Sequence, residues 1–282
     1  MKTRRATLSP TENWVEECNQ LARTVRGHCL RMTHRGRSGH VGSMLSMAEI
    51  LCVLYKRILR VDPKRPRRDG RDRLVLSKGH GGCAVYAVLG ELGFFPKQWF
   101  EGYYRDEGRL MGHISHYVPG VEFSTGSLGH GLPVAVGMAL AARHAGKKHR
   151  IICLMSDGDC NEGSTWEALL FAAQHKLDNL TVLVDYNKVQ ALGLSKDVLD
   201  LEPFARKMED CHWAVKEVDG HDVVAVDKAL HKLPFEQGKP SWLICHTIKG
   251  KGVSWMENTV SCHYGSVNDE QLARALSEIG AQ

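Results

Sequence analysis

The sequence predicts an α/β protein, a three-layer α/β/α sandwich built on a mostly parallel central sheet. Three observations carry that prediction. Short aliphatic and β-branched runs, such as "IICLM" at 151–155 and "LTVLV" at 180–184, alternate along the chain with stretches of helical period, the pattern of repeated βαβ units. The runs are apolar at nearly every position, as expected for strands covered on both faces of a parallel sheet. No internal repeat, low-complexity tract or clear linker divides the chain, so residues 1–282 are read as one domain.

Taken in order, residues 12–34 and 46–59 place apolar side chains at helical spacing, with the Gly- and Ser-rich "SGHVGSMLS" as a break between them. "DRLVLSKGHG" reads as a short buried strand at 74–76 ending in a polar turn. "CAVYAVLGELG" is a helix closed by Gly93, and "PKQWFEGY" opens with a proline suited to a first helical turn. Residues 108–127, "GRLMGHISHYVPGVEFSTGS", follow neither period, and an unpatterned loop of that length inside a compact domain is usually functional. "LGHGLPVAVGMALAARHAG" is a buried helix of small residues ended by Gly146. Beyond the 151–187 unit come an amphipathic stretch at 204–208, a strand near "WAVKEV", a helix over 222–233, a strand "SWLICHTI", a loop over 249–266 and a last helix from Asn268.

Composition narrows the function classes. Hydrophobic content of 43% and charged content of 24% are those of an ordinary soluble globular protein. The longest nearly apolar run, "LPVAVGMALAA", is well short of a membrane span. The N-terminal "MKTRRATLSPTENWVEE" has basic residues but no apolar segment behind them, so it does not read as a secretory signal, and a cytoplasmic location is expected. Nine cysteines with no Cys-x-x-Cys pair argue against both a disulfide framework and a structural zinc site. The net charge of +5 is local: "RVDPKRPRRDGRDR", from 60 to 73, holds seven basic and three acidic residues. With two prolines, a glycine and no aromatic to stack a base, it reads as a solvated loop, and no nucleic-acid partner is expected.

The informative stretch is "SDGDCNEGSTWEALLFAAQHKLDNLTVLVDYN", 156–187. Ligands of parallel sheets sit at the carboxyl ends of strands, and Asp157 and Asn187 fall at two such ends of one crossover unit, thirty residues apart. Gly158 lets a ligand approach the backbone, and the start of the following helix offers unpaired N–H groups, which suits a diphosphate. The Asp157 carboxylate would repel phosphate oxygens unless a divalent cation stood between them. Asp157, the Asn187 amide oxygen and a carbonyl from the following loop form a hard-oxygen set suited to Mg²⁺, with Ca²⁺ or Mn²⁺ as substitutes. Neither G-x-G-x-x-G nor G-x-x-x-x-G-K-[ST] occurs, which weighs against a dinucleotide or nucleoside triphosphate.

"SDGD" followed by "NEG", "WEA" and "DYN" resembles the thiamine-diphosphate signature, Gly-Asp-Gly with an Asn some thirty residues on, and the version here is similar to the transketolase family. The resemblance extends over nearly the whole chain: "SGHVGSMLS" looks like the family's Ser-Gly-His-Pro-Gly turn, "LSKGHG" like Leu-Ser-x-Gly-His, "MGHISHYVPGVEFSTGSLGHG" like its Gly-His-Pro loop and helix start, and "TIKGKGVSWMENTVSCHYG" like its Ile-x-Gly-x-Gly … His-Gly segment. It implies the diphosphate-side domain of the thiamine-diphosphate-binding fold. It also implies that Asp157, Asn187 and the Val189 carbonyl hold the metal and that Gly158 meets the diphosphate. His40, His80, His113 and His263 match active-site histidines, Gly126 and Leu128 residues beside the cofactor, and Glu162 and Glu167 carboxylates beneath it near a subunit contact. The implied activity is transfer of a two-carbon ketol unit from a ketose, phosphorylated or otherwise anionic, to an aldose. Val41, Ile114 and His130 depart from the family pattern in segments expected to face substrate or cofactor, which leaves the sugar open.

Nothing in the sequence resembles the family's pyrimidine-binding domain. The resemblance therefore implies the N-terminal subunit of a split transketolase, completed by a separately encoded C-terminal subunit, in two copies of each. Alternatives are a deoxyxylulose-phosphate synthase-like or acyloin-forming enzyme on the same diphosphate site, and a noncatalytic binding subunit.

Overall fold

The five strand-like runs form one parallel sheet in the computed structural model, which describes residues 10–281. The strands are β1 (Arg73–Leu76), β2 (Ile151–Ser156), β3 (Leu180–Tyr186), β4 (Ala214–Asp219) and β5 (Ser241–His246), in the spatial order β1-β2-β3-β5-β4. Every pairing is parallel, with Arg73 level with Ile151, Ile151 with Leu180, and Thr181 with Ser241. The expected sheet is thus present, with no antiparallel strand among the described residues.

Alternation along the strands explains the three layers. Ile152, Leu154, Leu183 and Leu243 point to one face. There they pack with α1 (Pro10–Gly36), α2 (Val41–Ser46), α3 (Ala48–Val53), α4 (Gly82–Glu91) and α9 (Val223–Leu230). Ile151, Cys153, Met155, Val182 and Val184 point to the other. They meet α5 (Gly131–His144), α6 (Gly163–Gln174) and α8 (Phe204–Asp210), with Trp242 of β5 buried against Phe204 of the last. Successive residues of a strand face opposite sides, so a run apolar at every position is what two covered faces require. A short α7 (Ser195–Val198) follows β3, and α10 (Asp269–Glu278) closes the chain on a capping box between Asn268 and Gln271.

Three local readings are corrected. The break placed over "SGHVGSMLS" is confined to the residues before Val41, because α2 already begins there. Its start is a sharp turn, with His40 at φ 68°, and the helix lies so close to the 249–266 loop that a Cβ on Gly42 would stand 2.3 Å from the Cys262 sulfur. The proline-led helix is a 3₁₀ turn over Lys97–Gly102, with Pro96 still extended. The second expected helix ends in a π-turn, Leu54–Ile58, rather than running on as α-helix.

The basic stretch is the loop that its composition suggests, and it is largely neutralised by its own neighbours. Asp72 accepts from Arg60 and Arg150, which hold its carboxyl down at about 2 against the cost of burial, and Arg71 pairs with Glu122. All nine cysteines are free. Among the described residues no group of three or more His, Cys, Asp or Glu side chains is placed to hold a metal, and no helix is long and apolar enough to cross a membrane. The N-terminal nine residues, where the sequence offers no signal segment, lie outside the described part.

Candidate active site

Every loop that leaves the carboxyl edge of β1, β2, β3 and β5 contributes to one site. After β1 the chain turns through Ser77 and Lys78 into a 3₁₀ turn, Gly79–Gly81, that carries His80. A Cβ on Gly79 would stand 2.1 Å from the Thr125 carbonyl, so only glycine lets the 108–127 loop close on this turn. The Ile114 N–H donates to the Gly79 carbonyl at 2.9 Å and the Thr125 hydroxyl to that of Leu76 at 2.5 Å, and these bonds bring His113 over the edge. His40 arrives from the turn before α2, where its N–H donates to the His263 carbonyl at 2.6 Å. The four predicted histidines therefore meet. Ring centroids lie 5.0 Å apart for His40 and His80, 5.9 Å for His40 and His113, 4.8 Å for His40 and His263, and 5.8 Å for His80 and His263.

Their surroundings hold three of them neutral. Burial pushes the His80 imidazole well below its usual range, with Lys78 and the other rings adding to it. His40 is lowered by burial and by His113 and Lys249, and His263 falls to about 3 from burial, with Lys249 and His40 contributing. Desolvation and like charge both disfavour the cation, so these rings stay neutral near neutral pH and are available as hydrogen-bond acceptors.

The acidic turn lies beside them. Asp157 is 2% exposed, and its carboxylate takes the Gly158 N–H at 3.0 Å and the Ser195 hydroxyl, but pairs with no cation among the described residues. Burial and the nearby Asp185 raise its pKa. On the adjacent strand end, Asn187 is buried and its amide oxygen accepts the Val189 N–H at 3.2 Å across Lys188, which has φ 66°. A buried carboxylate without a counter-ion, an amide oxygen and a backbone carbonyl form a set that could hold a hard divalent cation. On Gly158, a Cβ would stand 3.2 Å from Leu128, so the glycine keeps the approach to the backbone open. One expectation needs correction: α6 starts at Gly163, and a 3₁₀ turn, Gly158–Asn161, stands between it and Asp157. The amides beside Asp157 are therefore those of a tight turn rather than of a helix terminus.

Several supporting groups escape a reading of the sequence. Asp159, fully buried, accepts from Ser77 Oγ at 2.6 Å, Gly129 N at 2.8 Å, Ser156 N at 2.8 Å and Ser156 Oγ at 3.0 Å. It ties the ends of β1 and β2 to the Gly129 turn, and so fixes Leu128. Beneath the site, Lys78 and Asp185 form a fully buried pair, and Asp185 also accepts from Ser46 Oγ at 2.5 Å and from Thr247. Burial opposes the Asp185 charge, but Lys78 and these hydroxyls hold its pKa low. Lys249, 1% exposed, donates to the Val189 carbonyl at 2.9 Å and lies 3.0 Å from His263 Nδ1. The signals in the sequence are "SDGD", "SKGH" and "TIKGKG", charged residues in the turns that follow apolar strands.

These groups surround a cavity of about 200 Å³. His80, His263, Leu128, Asp157, Gly158, Asn187 and Val189 line it, together with Ser156, Gln190 and Lys249. His40 and His113 are not part of this lining but adjoin it: half-buried His40 is in ring contact with His80 and His263, and exposed His113 with His40. Gly126, Glu162 and Glu167 are exposed and lie outside it. Of the three departures, Val41 and Ile114 are buried in the apolar core rather than facing the cavity, and His130 is exposed ahead of α5.

A parallel sheet whose carboxyl edge joins a buried acidic turn to a histidine cluster is an α/β domain with its candidate ligand site at the strand ends. Residues 18–282 match the family described as transketolase, thiamine diphosphate binding domain. The chain belongs to the transketolase family. It is 39% identical over 274 residues to an apulose-4-phosphate transketolase subunit of Actinobacillus succinogenes, covering 96% of this chain and 99% of that one. It is 40% identical over 242 residues to the 6-deoxy-6-sulfo-D-fructose transketolase subunit SqwG of a Clostridium species, covering 86% and 88%. A solved transketolase from Campylobacter jejuni superposes with a TM-score of 0.89 at 31% identity over 94% of this chain, which spans 43% of that longer one.

Proposed function

We propose that this chain is the N-terminal, diphosphate-binding subunit of a two-chain transketolase that moves a two-carbon ketol unit from an anionic ketose to an aldose. The observation that carries the reading is Asp157, a buried carboxylate with no cationic partner among the described residues, beside Asn187 and sharing a cavity with His80 and His263 of the histidine cluster. In this reading Asp157, Asn187 and the Val189 carbonyl hold Mg²⁺, Gly158 faces the diphosphate, and Leu128 packs against the cofactor. Bound thiamine diphosphate supplies the electron sink for breaking the carbon–carbon bond beside the ketose carbonyl. The chain's own residues bind and move protons: neutral His80 accepts a sugar hydroxyl proton, and His40, His113 and His263 hydrogen-bond the sugar oxygens. Lys249 holds the Val189 carbonyl and the His263 ring in place.

The small cavity supports a second subunit. A volume of about 200 Å³ falls below the roughly 300–1,000 Å³ usual for ligand sites. Leu192 on its lining is 83% exposed, and Met111 and Tyr264, near or next to site histidines, are 52% and 64% exposed. A partner carrying the pyrimidine-binding domain would cover these side chains, in two copies of each subunit. The relatives named for subunits of apulose-4-phosphate and 6-deoxy-6-sulfo-D-fructose transketolases support an anionic ketose, since phosphate and sulfonate are both acidic groups. One continuous sheet supports a single domain, and nine free cysteines fit a reducing cytoplasm.

Titrating the purified chain with the candidate partner chain, in the presence of Mg²⁺ and thiamine diphosphate, tests the reading. Ketol transfer should be absent from the chain alone and should saturate near one partner per chain. Full turnover by the isolated, homogeneous chain would overturn the two-chain reading.

A further inference from the structure

A cavity of about 750 Å³ shares no lining residue with the site. It opens between the C-terminal turns of α1 and the segment leading into α10, and Arg31, Arg35, Arg37 and Arg105 all line it. Among the described residues none of the four pairs with a carboxylate. Arg31 instead donates to the Ala281 carbonyl at 3.2 Å, Arg35 to that of Phe100 at 3.3 Å, and Arg105 to that of Arg35. The one carboxylate in the lining, Asp269, lies 3.1 Å from the ring of His34.

Around Asp72 in this same molecule, Arg60 and Arg150 share a buried carboxylate. Here four guanidiniums face one concavity with a single carboxylate among them. Three are anchored through backbone carbonyls, which steadies each side chain while leaving most of its five N–H donors free. Guanidinium forks match phosphate oxygens in pairs. We propose that this cavity is a second anion site, for a multiply charged phosphorylated small molecule. Its volume is that of a small-ligand pocket rather than of the flatter surface an acidic protein segment would need. The proposal does not depend on the transketolase reading, because no residue is common to the two cavities.

The test is calorimetric titration of the full chain with inorganic pyrophosphate in chelator, so that no divalent cation assists binding at Asp157. Saturable binding at roughly 10–100 μM is expected, weakening as salt is raised. Arg37→Gln combined with Arg105→Gln should weaken it about tenfold or more, since two charge-assisted contacts are lost. Asn187→Ala, in the other cavity, should leave it unchanged, and thermal melts of all variants check that folding is intact. No saturable binding below about 1 mM overturns the proposal. So does an affinity unchanged by the arginine substitutions, or a loss shared equally by Asn187→Ala. If a poly-glutamate peptide displaces pyrophosphate and binds more tightly than it does, the site belongs to a protein partner and the small-molecule reading fails.

Discussion

His263 lies among His40, His80, Lys249 and Lys78, and its protonation links the site to stability. Its ordinary value of 6.5 falls to about 3 in the fold. Between those values the unfolded chain takes up a proton that the folded chain refuses, so stability falls as pH drops through 6.5 and keeps falling towards 3. Allowing for partial exposure, the loss is roughly 1 kcal/mol at about pH 5. His263→Gln should therefore shrink the fall in melting temperature between about pH 7 and about pH 5 by roughly 2–4 °C. An equal fall in both proteins would show that this ring is not held neutral. His80 tests the chemistry instead: His80→Ala should cut ketol transfer about 10²-fold or more in the two-chain enzyme while cofactor binding persists, as for a lost general base. At this scale the histidines are legible through the motifs that resemble the family's, "SGHVG", "SKGHG", "MGH" and "SCHYG", since each histidine taken alone looks like an ordinary one. Lys78, Asp185 and Lys249 are not, because a charged residue at a strand end looks the same in sequence whether it is solvated or fully buried.

At the level of elements, the site depends on how the strand ends are tied together. Asp159 joins β1, β2 and the Gly129 turn through four hydrogen bonds to Ser77, Gly129 and Ser156. Asp159→Ala leaves the Ser156 and Gly129 N–H groups buried without acceptors, at about 1–3 kcal/mol each. The variant should unfold at lower denaturant by an amount equivalent to about 3 kcal/mol, and thiamine diphosphate affinity should drop as Leu128 loses its position. A midpoint unchanged in denaturant titration would remove Asp159 from this role. The five strands are readable because burial on both faces makes most of their runs apolar throughout. The 3₁₀ turns at Gly158–Asn161 and Lys97–Gly102 are not, since Asp-Gly and Pro signal a turn or helix start without choosing between its forms.

For the whole molecule, the sheet supplies one wall of a site and leaves the other side to whatever packs against Leu192, Met111 and Tyr264. Ligand linkage turns that geometry into a measurable quantity. A ligand that binds only the folded state stabilises it by about 2.7 kcal/mol at a hundredfold excess over its Kd, and by little when its concentration is below Kd. With one wall, thiamine diphosphate and Mg²⁺ should raise the melting temperature of the isolated chain only slightly. With the partner chain present, the same additions should raise it by several degrees, because the cofactor is then held from both sides. Chelator should reverse the increment, and Asp157→Ala should abolish it, since a methyl group cannot replace an anionic metal ligand. Differential scanning calorimetry of the chain alone, the partner alone and the mixture separates these contributions. A rise of equal size without the partner would mean that the chain encloses the cofactor by itself, and the exposed side chains around the cavity would then need another explanation.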